Sequence, residues 1–107
     1  MVSKSGNIFK NLPDPIDEEI FQVLCECGKV KIERIVSNEQ RTPSSKWYDQ
    51  TWDEWILIEQ GKGVLEYEDG STQTLKKGDF TLIPKGVKHR VFSTEQSTIW
   101  LAIHMPG

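Results

Sequence analysis

The sequence has few of the residues that mark metal clusters, disulfide-stabilised folds or membrane segments. Its 107 residues include only two histidines, so one subunit cannot supply a three-histidine metal site. Cys25 and Cys27 are its only cysteines. A disulfide between such near neighbours would be strained, so we interpret both as ordinary thiols. No run of residues approaches the roughly 20 apolar residues of a membrane span.

The charge of the chain is also not that of a nucleic-acid-binding protein. Its formal net charge is -3 at pH 7, whereas nucleic-acid-binding surfaces are basic. Residues 1–10 lack the apolar core of a secretory signal. We therefore expect a cytoplasmic protein with no nucleic-acid or membrane partner. The length is typical of one domain, so residues 1–107 are predicted to form a single domain.

The N-terminal part of the sequence carries the signals of a helix start. Asp14 can cap a helix, Pro15 suits its first position, and the acidic residues 17–19 complement the positive end of its dipole. These signals predict a short helix at about residues 14–26 that packs on the rest of the molecule. The apolar residues of its buried face would be Ile16, Ile20, Phe21 and Leu24.

From Val30 onward the sequence changes to short β-rich runs separated by turn signals. Asp69-Gly70, for example, is typical of a two-residue hairpin turn. An all-β chain of this length must close or pair its sheets to bury one face and protect the edges. We therefore predict an antiparallel sandwich or barrel at about residues 30–105. The first run, Val30–Val36, is a candidate edge strand.

Two spaced motifs occupy this strand-rich region. Their residues are, in order, Glu54, Gly61, Gly78, Pro84, Gly86 and His89. Over about residues 32–104 the sequence resembles the cupin superfamily, and the second motif lacks only its terminal asparagine, which is Ser93 here. The resemblance implies a small antiparallel β-barrel of the jelly-roll type with an internal pocket, here with the short N-terminal helix added. It also implies a homodimer.

The first motif departs from the form that holds a metal in the family. Family members with a full site have two histidines before the glutamate, and at the shorter spacing Tyr48 and Gln50 occupy those positions. The longer spacing gives no histidine either. The resemblance leaves Gln50, Glu54 and His89 as metal ligands. They can hold a divalent ion (zinc, manganese, iron or nickel), with lower affinity than an imidazole-rich set.

Further pocket residues come from strand alternation and from the aromatic stretch WYDQTWDEW before Ile56. His104 shares a strand face with Trp100 and Ala102, and if that face is the inner one it joins His89 and Glu54. The alternative is an exposed or merely hydrogen-bonded histidine near the C-terminus.

The same aromatic stretch is predicted to form one wall of the pocket. Tyr48 and Trp52 are candidate ligand contacts, with simple packing at the rim as the alternative for each. Glu54 also has a structural alternative, as a buried carboxylate satisfied by the Tyr48 hydroxyl or by a backbone donor. Trp55 alternates away from Glu54 and is predicted to pack outside the pocket.

The sequence leaves two catalytic mechanisms and one non-catalytic role open. It has no Ser-His-Asp pattern, phosphate-binding glycine loop or dinucleotide fingerprint. A metal on Gln50, Glu54 and His89 can polarise a substrate, or Glu54 and His89 can act without metal as an acid–base pair. Both suit an isomerase or lyase. The alternative is a barrel that binds or senses a small ligand without metal, because fold alone does not decide function.

Overall fold

The computed structural model describes residues 5–15, 17–43 and 45–106. In this part of the chain the strands form two antiparallel sheets, with the order β1-β2-β8-β3-β6 in the larger and β5-β4-β7 in the smaller. The strands are β1 (Ile20–Cys27), β2 (Val30–Ser37), β3 (Asp53–Gln60), β4 (Lys62–Tyr67), β5 (Thr72–Lys76), β6 (Phe80–Ile83), β7 (His89–Thr94) and β8 (Thr98–Met105).

The core lies between the two sheets and follows from alternation along each strand. In β3, Glu54, Ile56 and Ile58 are buried, while Trp55 and Leu57 on the opposite face are only half-buried. Both sheets contribute to one apolar cluster. Its buried members are Ile35, Ile56, Ile58, Leu65, Leu75, Ile83, Trp100 and Ala102.

Two glycines allow the sheets to approach each other closely. Gly61 turns the chain between β3 and β4 with a φ of 83°, and a Cβ there would lie 2.5 Å from Thr98 Oγ1. At Gly63 a Cβ would lie 2.3 Å from two ring carbons of Trp100. A side chain at position 63 would therefore displace the indole that fills the centre of the core.

The predicted N-terminal helix is wrong for the described residues. Ile16 lies outside them, and Ile20–Cys27 form strand β1, paired with β2 from Ile20↔Val36 to Cys27↔Val30. Gly28, with a φ of 59°, begins the two-residue turn that joins these strands. The helix signals act only locally, whereas β2 pairs with β1 along its whole length. This pairing outweighs the local preference for a helix. No helix in the described part of the chain is long and apolar enough to cross a membrane.

The prediction that Val30–Val36 is an edge strand is also wrong. Strand β2 lies between β1 and β8, with Ile32 opposite Ile103. The edge strands of the larger sheet are β6 and β1, and the sequence interpretation had made β1 a helix. Strand β2 is therefore hydrogen-bonded to a neighbour along each of its edges. Its inner face presents buried polar side chains to the interior.

Arg34 attaches the N-terminal segment to the outer face of the larger sheet. Its buried guanidinium donates hydrogen bonds to the backbone carbonyls of Ile8, Lys10 and Asn11, at 2.8 to 3.2 Å. It also donates to the side-chain oxygen of Gln22. Five N–H donors in a fixed fork suit this set of acceptors, so Arg34 is satisfied without a carboxylate partner.

Candidate functional site

A cavity of about 70 Å³ lies between the sheets at one end of the core. Most of its wall is apolar and belongs to the core cluster, including Ile56, Leu65 and Trp100. Its polar wall contains most of the candidate residues from the sequence. These polar lining residues are Glu19, Tyr48, Gln50, Glu54, His89 and His104.

His89 and Glu54 face each other inside this cavity. The Nδ1 atom of His89 lies 3.0 Å from the carbonyl oxygen of Val87. A carbonyl only accepts, so Nδ1 carries a proton and Nε2 is the nitrogen that faces the cavity. Nε2 lies 3.6 Å from Glu54 Oε1, and both side chains are buried. A neutral His89 therefore points a lone pair at the carboxylate, and a protonated one forms an ion pair with it.

Backbone hydrogen bonds bring the two sequence motifs together. Tyr48 N donates to His89 O at 2.7 Å, and His89 N donates to Tyr48 O at 3.1 Å. Gly86 N donates to Gln50 O at 2.8 Å. The Tyr48 and His89 rings consequently lie 5.7 Å apart between centroids. The segment before β3 is thus fixed to the start of β7, which places Gln50 beside Glu54 and His89 in the cavity wall.

His104 is buried on the inner face of β8, directly opposite Glu54 on β3. Trp52 Nε1 donates to His104 Nδ1 at 2.6 Å. An indole only donates, so Nδ1 is unprotonated and the proton of the ring is on Nε2. Nε2 lies 2.6 Å from Glu33 Oε1 and 3.4 Å from Glu54 Oε2. His104 is therefore a neutral donor, and neither ring nitrogen has a free lone pair.

The sequence interpretation missed Glu33, which is buried behind His104. Its second oxygen lies 3.8 Å from Lys31 Nζ. Alternation along β2 places Glu33 on the same face as Ile35 and Ser37, which is the inner one. That alternation was the signal that could have found Glu33, had β2 not been taken for an edge strand.

Glu19 at the mouth of the cavity was also missed. Its Oε2 accepts a hydrogen bond from Ser37 Oγ, which itself accepts one from Trp100 Nε1 at 3.1 Å. Burial raises the pKa of Glu19 above its ordinary value, and the bond from Ser37 only partly offsets this. Burial also raises the pKa of Tyr48, and the negative charge of Glu19 adds to that increase.

The tryptophans of the aromatic stretch lie outside the cavity lining. Trp52 packs behind His104, with the ring centroids 5.7 Å apart. Trp55 packs on Phe80 on the outer face, at 5.5 Å between centroids, as alternation predicted. Trp47 stacks under the guanidinium of Arg90, 4.2 Å from its Cζ. The stretch therefore contributes Tyr48 and Gln50, together with Glu54, to the cavity wall.

The predicted metal ligands Gln50, Glu54 and His89 all line the cavity. Across the described residues, no three His, Cys, Asp or Glu side chains are arranged to hold a metal ion. The lone pair that His104 would need accepts the Trp52 proton instead. Metal binding stays a prediction.

A family model, Cupin_2, described as a cupin domain, matches residues 35–104. The chain belongs to the cupin family. Its fold resembles a crystal structure from Ralstonia eutropha JMP134 described as a "putative mannose-6-phosphate isomerase", with a TM-score of 0.92 and 38% identity over 98% of this chain and 100% of that one. The predicted all-β cupin fold is therefore confirmed.

Two further proteins are less similar to this chain. A cupin superfamily protein from Desulfitobacterium hafniense DCB-2 shares the fold, with a TM-score of 0.75 and 15% identity over 90% of this chain and 84% of that one. An "uncharacterized protein" of Aquifex aeolicus (strain VF5) is 35% identical over 67 residues, which is 63% of this chain. The cupin spans 54%, about half, of the length of that curated relative.

Proposed function

We propose that the cavity is an acid–base site in which Glu54 and His89 transfer protons to and from a small polar molecule, as an isomerase or lyase requires. The observation that carries this proposal is that His89 Nε2 and Glu54 Oε1 are buried and face each other at 3.6 Å in the cavity wall. A carboxylate and an imidazole in one cavity wall can exchange protons with a small molecule bound there.

The surrounding contacts give each group a defined part. The bond between His89 Nδ1 and the Val87 carbonyl holds the ring, so Nε2 is the atom that takes up or releases a proton. Glu54 stabilises the imidazolium that forms. The second oxygen of Glu54 faces Nε2–H of His104 at 3.4 Å, which orients the carboxylate without adding a charge.

The similarity to the protein from Ralstonia eutropha supports an isomerase reaction more strongly than it supports a sugar-phosphate substrate. An aldose–ketose isomerase moves a proton between neighbouring carbons, which suits an acid–base pair. A sugar phosphate fits poorly, because the cavity measures about 70 Å³ and its described lining includes Glu19 and Glu54 but no lysine or arginine. Typical pockets for drug-sized ligands are roughly 300–1,000 Å³.

A barrel that binds a ligand without catalysis is the second candidate. It is favoured by the largely apolar lining, to which the core residues Ile35 and Ile83 and the adjacent Val91 contribute. In the metal-assisted alternative, Gln50 would join Glu54 and His89 as a ligand, which elemental analysis tests.

The homodimer and the cytoplasmic location also remain proposals. Phe80 and Leu82 on the outer face of the larger sheet, next to Trp55, are 63% and 50% exposed. A second copy of the chain would cover such side chains. Light scattering on the purified protein measures the mass directly, and a monomer at all concentrations would contradict the homodimer.

Solvent-deuterium exchange tests the acid–base proposal without knowledge of the natural substrate. Small carbonyl compounds and polyols that stabilise the protein in a thermal-shift screen are incubated with it in D₂O, and exchange at carbon is followed by NMR. We expect exchange that falls at least about 100-fold in Glu54→Gln and in His89→Asn. Glu95→Gln, at an exposed turn, is the control. Ligands that occupy the cavity without any exchange would favour the binding barrel.

A further inference from the structure

We propose that the natural ligand is a small organic amine, whose protonated ammonium group enters the cavity while the rest of the molecule lies in the adjoining groove. This deepens the proposed function and rests on it for the location of the site.

The charges around the cavity favour a cation. Glu19 and Glu54 line it, and Glu33 lies immediately behind His104, 2.6 Å from its Nε2. The hydrogen bond from Trp52 keeps His104 neutral, so His104 offsets none of these carboxylates. Lys31 approaches Glu33 at 3.8 Å, and His89 can carry one positive charge. An anionic ligand would therefore meet carboxylates at close range in a site of low dielectric.

Glu19 is the carboxylate whose negative charge is least offset by its neighbours. Its hydrogen-bond donor is Ser37, and no salt bridge joins Glu19 to another described residue. An ionised carboxylate that is partly buried without a cation has lost hydration that a single hydroxyl donor only partly replaces. The raised pKa of Glu19 is consistent with this. A ligand ammonium at the mouth of the cavity would supply the missing charge and up to three hydrogen-bond donors.

The rest of the lining also suits an ammonium group. The rings of Phe21, Tyr48 and Trp100 contribute to the wall, and the faces of aromatic rings attract organic cations. The described part of the lining contains no lysine or arginine that would repel them. The same rings offer an anion no favourable electrostatic contact.

The size of the cavity indicates which part of the ligand it can hold. About 70 Å³ accommodates a compact head group but not a whole metabolite. A groove of about 680 Å³ adjoins it and shares Glu19, Phe21 and Tyr48 with its lining. The groove contains both acidic and basic side chains, including Glu18 and Lys46, so it imposes no single charge on the ligand. Selection for a cation therefore lies in the inner cavity.

Two sets of similar molecules that differ in charge test this inference on the full chain. The probes are butylammonium, 1-butanol and butyrate, with phenethylammonium, 2-phenylethanol and phenylacetate as the aromatic set, and inorganic phosphate as a further anion. Ligand-observed NMR and calorimetry measure binding at fixed ionic strength. We expect each ammonium to bind at least roughly tenfold more tightly than its alcohol, and the carboxylates and phosphate more weakly still.

The variant Glu19→Gln keeps an acceptor for Ser37 but removes the charge, so it should weaken ammonium binding by roughly tenfold and leave alcohol binding unchanged. Glu95→Gln should change neither. Equal binding of alcohols and ammonium ions, or tighter binding of the anions, would overturn the inference. A similar loss of alcohol binding in Glu19→Gln would do the same.

These outcomes remain distinct from the outcome for the proposed function. Proton exchange on neutral compounds without a preference for amines would refute the amine and leave the acid–base site standing. Amine binding without exchange in any bound compound would support the amine and contradict catalysis.

Discussion

Trp52 Nε1 donates a hydrogen bond to His104 Nδ1 at 2.6 Å, and this contact determines which ring nitrogen of His104 carries the proton. The proton is then on Nε2, which is 2.6 Å from Glu33 and 3.4 Å from Glu54. A tryptophan that does not line the cavity thus sets the hydrogen-bonding character of a histidine that does. The only other histidine, His89, keeps its cavity-facing nitrogen available for a proton.

Replacing Trp52 by phenylalanine should release His104 from this tautomer. The variant leaves Nδ1 without its donor, so we expect a loss of about 1–3 kcal/mol in the free energy of unfolding. In ¹⁵N NMR of the histidine rings, the Nδ1 signal of His104 should move away from that of an unprotonated, hydrogen-bonded nitrogen. Trp55→Phe, on the outer face, is the matched control and should leave the signals in place. Identical His104 signals in the wild type and in Trp52→Phe would show that the indole does not control the tautomer.

The partly buried Glu19 should make stability depend on pH. Its pKa is raised in the folded state, above the ordinary value of 4.5. The folded protein therefore binds this proton more tightly than the unfolded chain, and the resulting stability is lost as pH rises through the raised pKa.

We therefore expect Glu19→Gln to melt a few degrees higher than the wild type at pH 7, with the gain disappearing below about pH 4.5. Thermal denaturation between pH 4 and pH 8 measures this difference. Glu95→Gln provides the comparison for an exposed carboxylate. If the melting temperature of Glu19→Gln exceeded that of the wild type by the same amount at every pH, titration of Glu19 would not be the cause and the prediction would be wrong.

Arg34→Met should detach the N-terminal segment from the larger sheet. The substitution preserves the apolar stem but leaves the carbonyls of Ile8, Lys10 and Asn11 without their donor. We expect a loss of about 2–4 kcal/mol in urea unfolding and faster proteolysis near these residues. The exposed Arg41→Met variant should lose about 0.5 kcal/mol or less. Equal stability and equal proteolysis of the two variants would mean that the attachment is not energetically important.

Gly63→Ala should disturb the centre of the core. The added methyl would lie 2.3 Å from the indole of Trp100, which is itself buried and bonded to Ser37. Overpacking of this kind costs about 1–3 kcal/mol, measured by denaturant unfolding. Gly6→Ala, where no atom lies within 4 Å of the new Cβ, should have almost no effect. An equally stable Gly63→Ala variant would show that Trp100 moves aside at little cost.

The fold could be predicted largely because glycine and proline spacing marks its turns. Gly61 has the positive φ that its turn position indicated, and alternation from Glu54 correctly placed Trp55 on the outer face. Strand β1 could not be recognised in the same way. Asp14 and Pro15 are genuine helix-start signals, and only the pairing of β1 with β2 overrides them.

The candidate site was predictable only in part, for a related reason. The motifs identified Glu54 and His89. These residues are far apart in the chain, and only the family resemblance indicated that they share a pocket. Glu19 lines the cavity, and Glu33 contacts His104 because β2 lies beside β8. Alternation could place Glu33 on an inner face, but the pairing of β2 with β8 cannot be read from local sequence. The bond from Trp52 to His104 likewise joins residues that are distant in the chain.

The measurement that tests the central claim most directly is elemental analysis of untagged protein by inductively coupled plasma mass spectrometry. It is combined with titration by zinc, manganese, iron and nickel, and repeated on Glu54→Ala and His89→Ala. If Glu54 and His89 are a metal-free acid–base pair, the protein will contain far less than one metal ion per chain and will take up none with these two residues as ligands. Near-stoichiometric metal that is lost in both variants would contradict this account and establish a metal centre in the cavity.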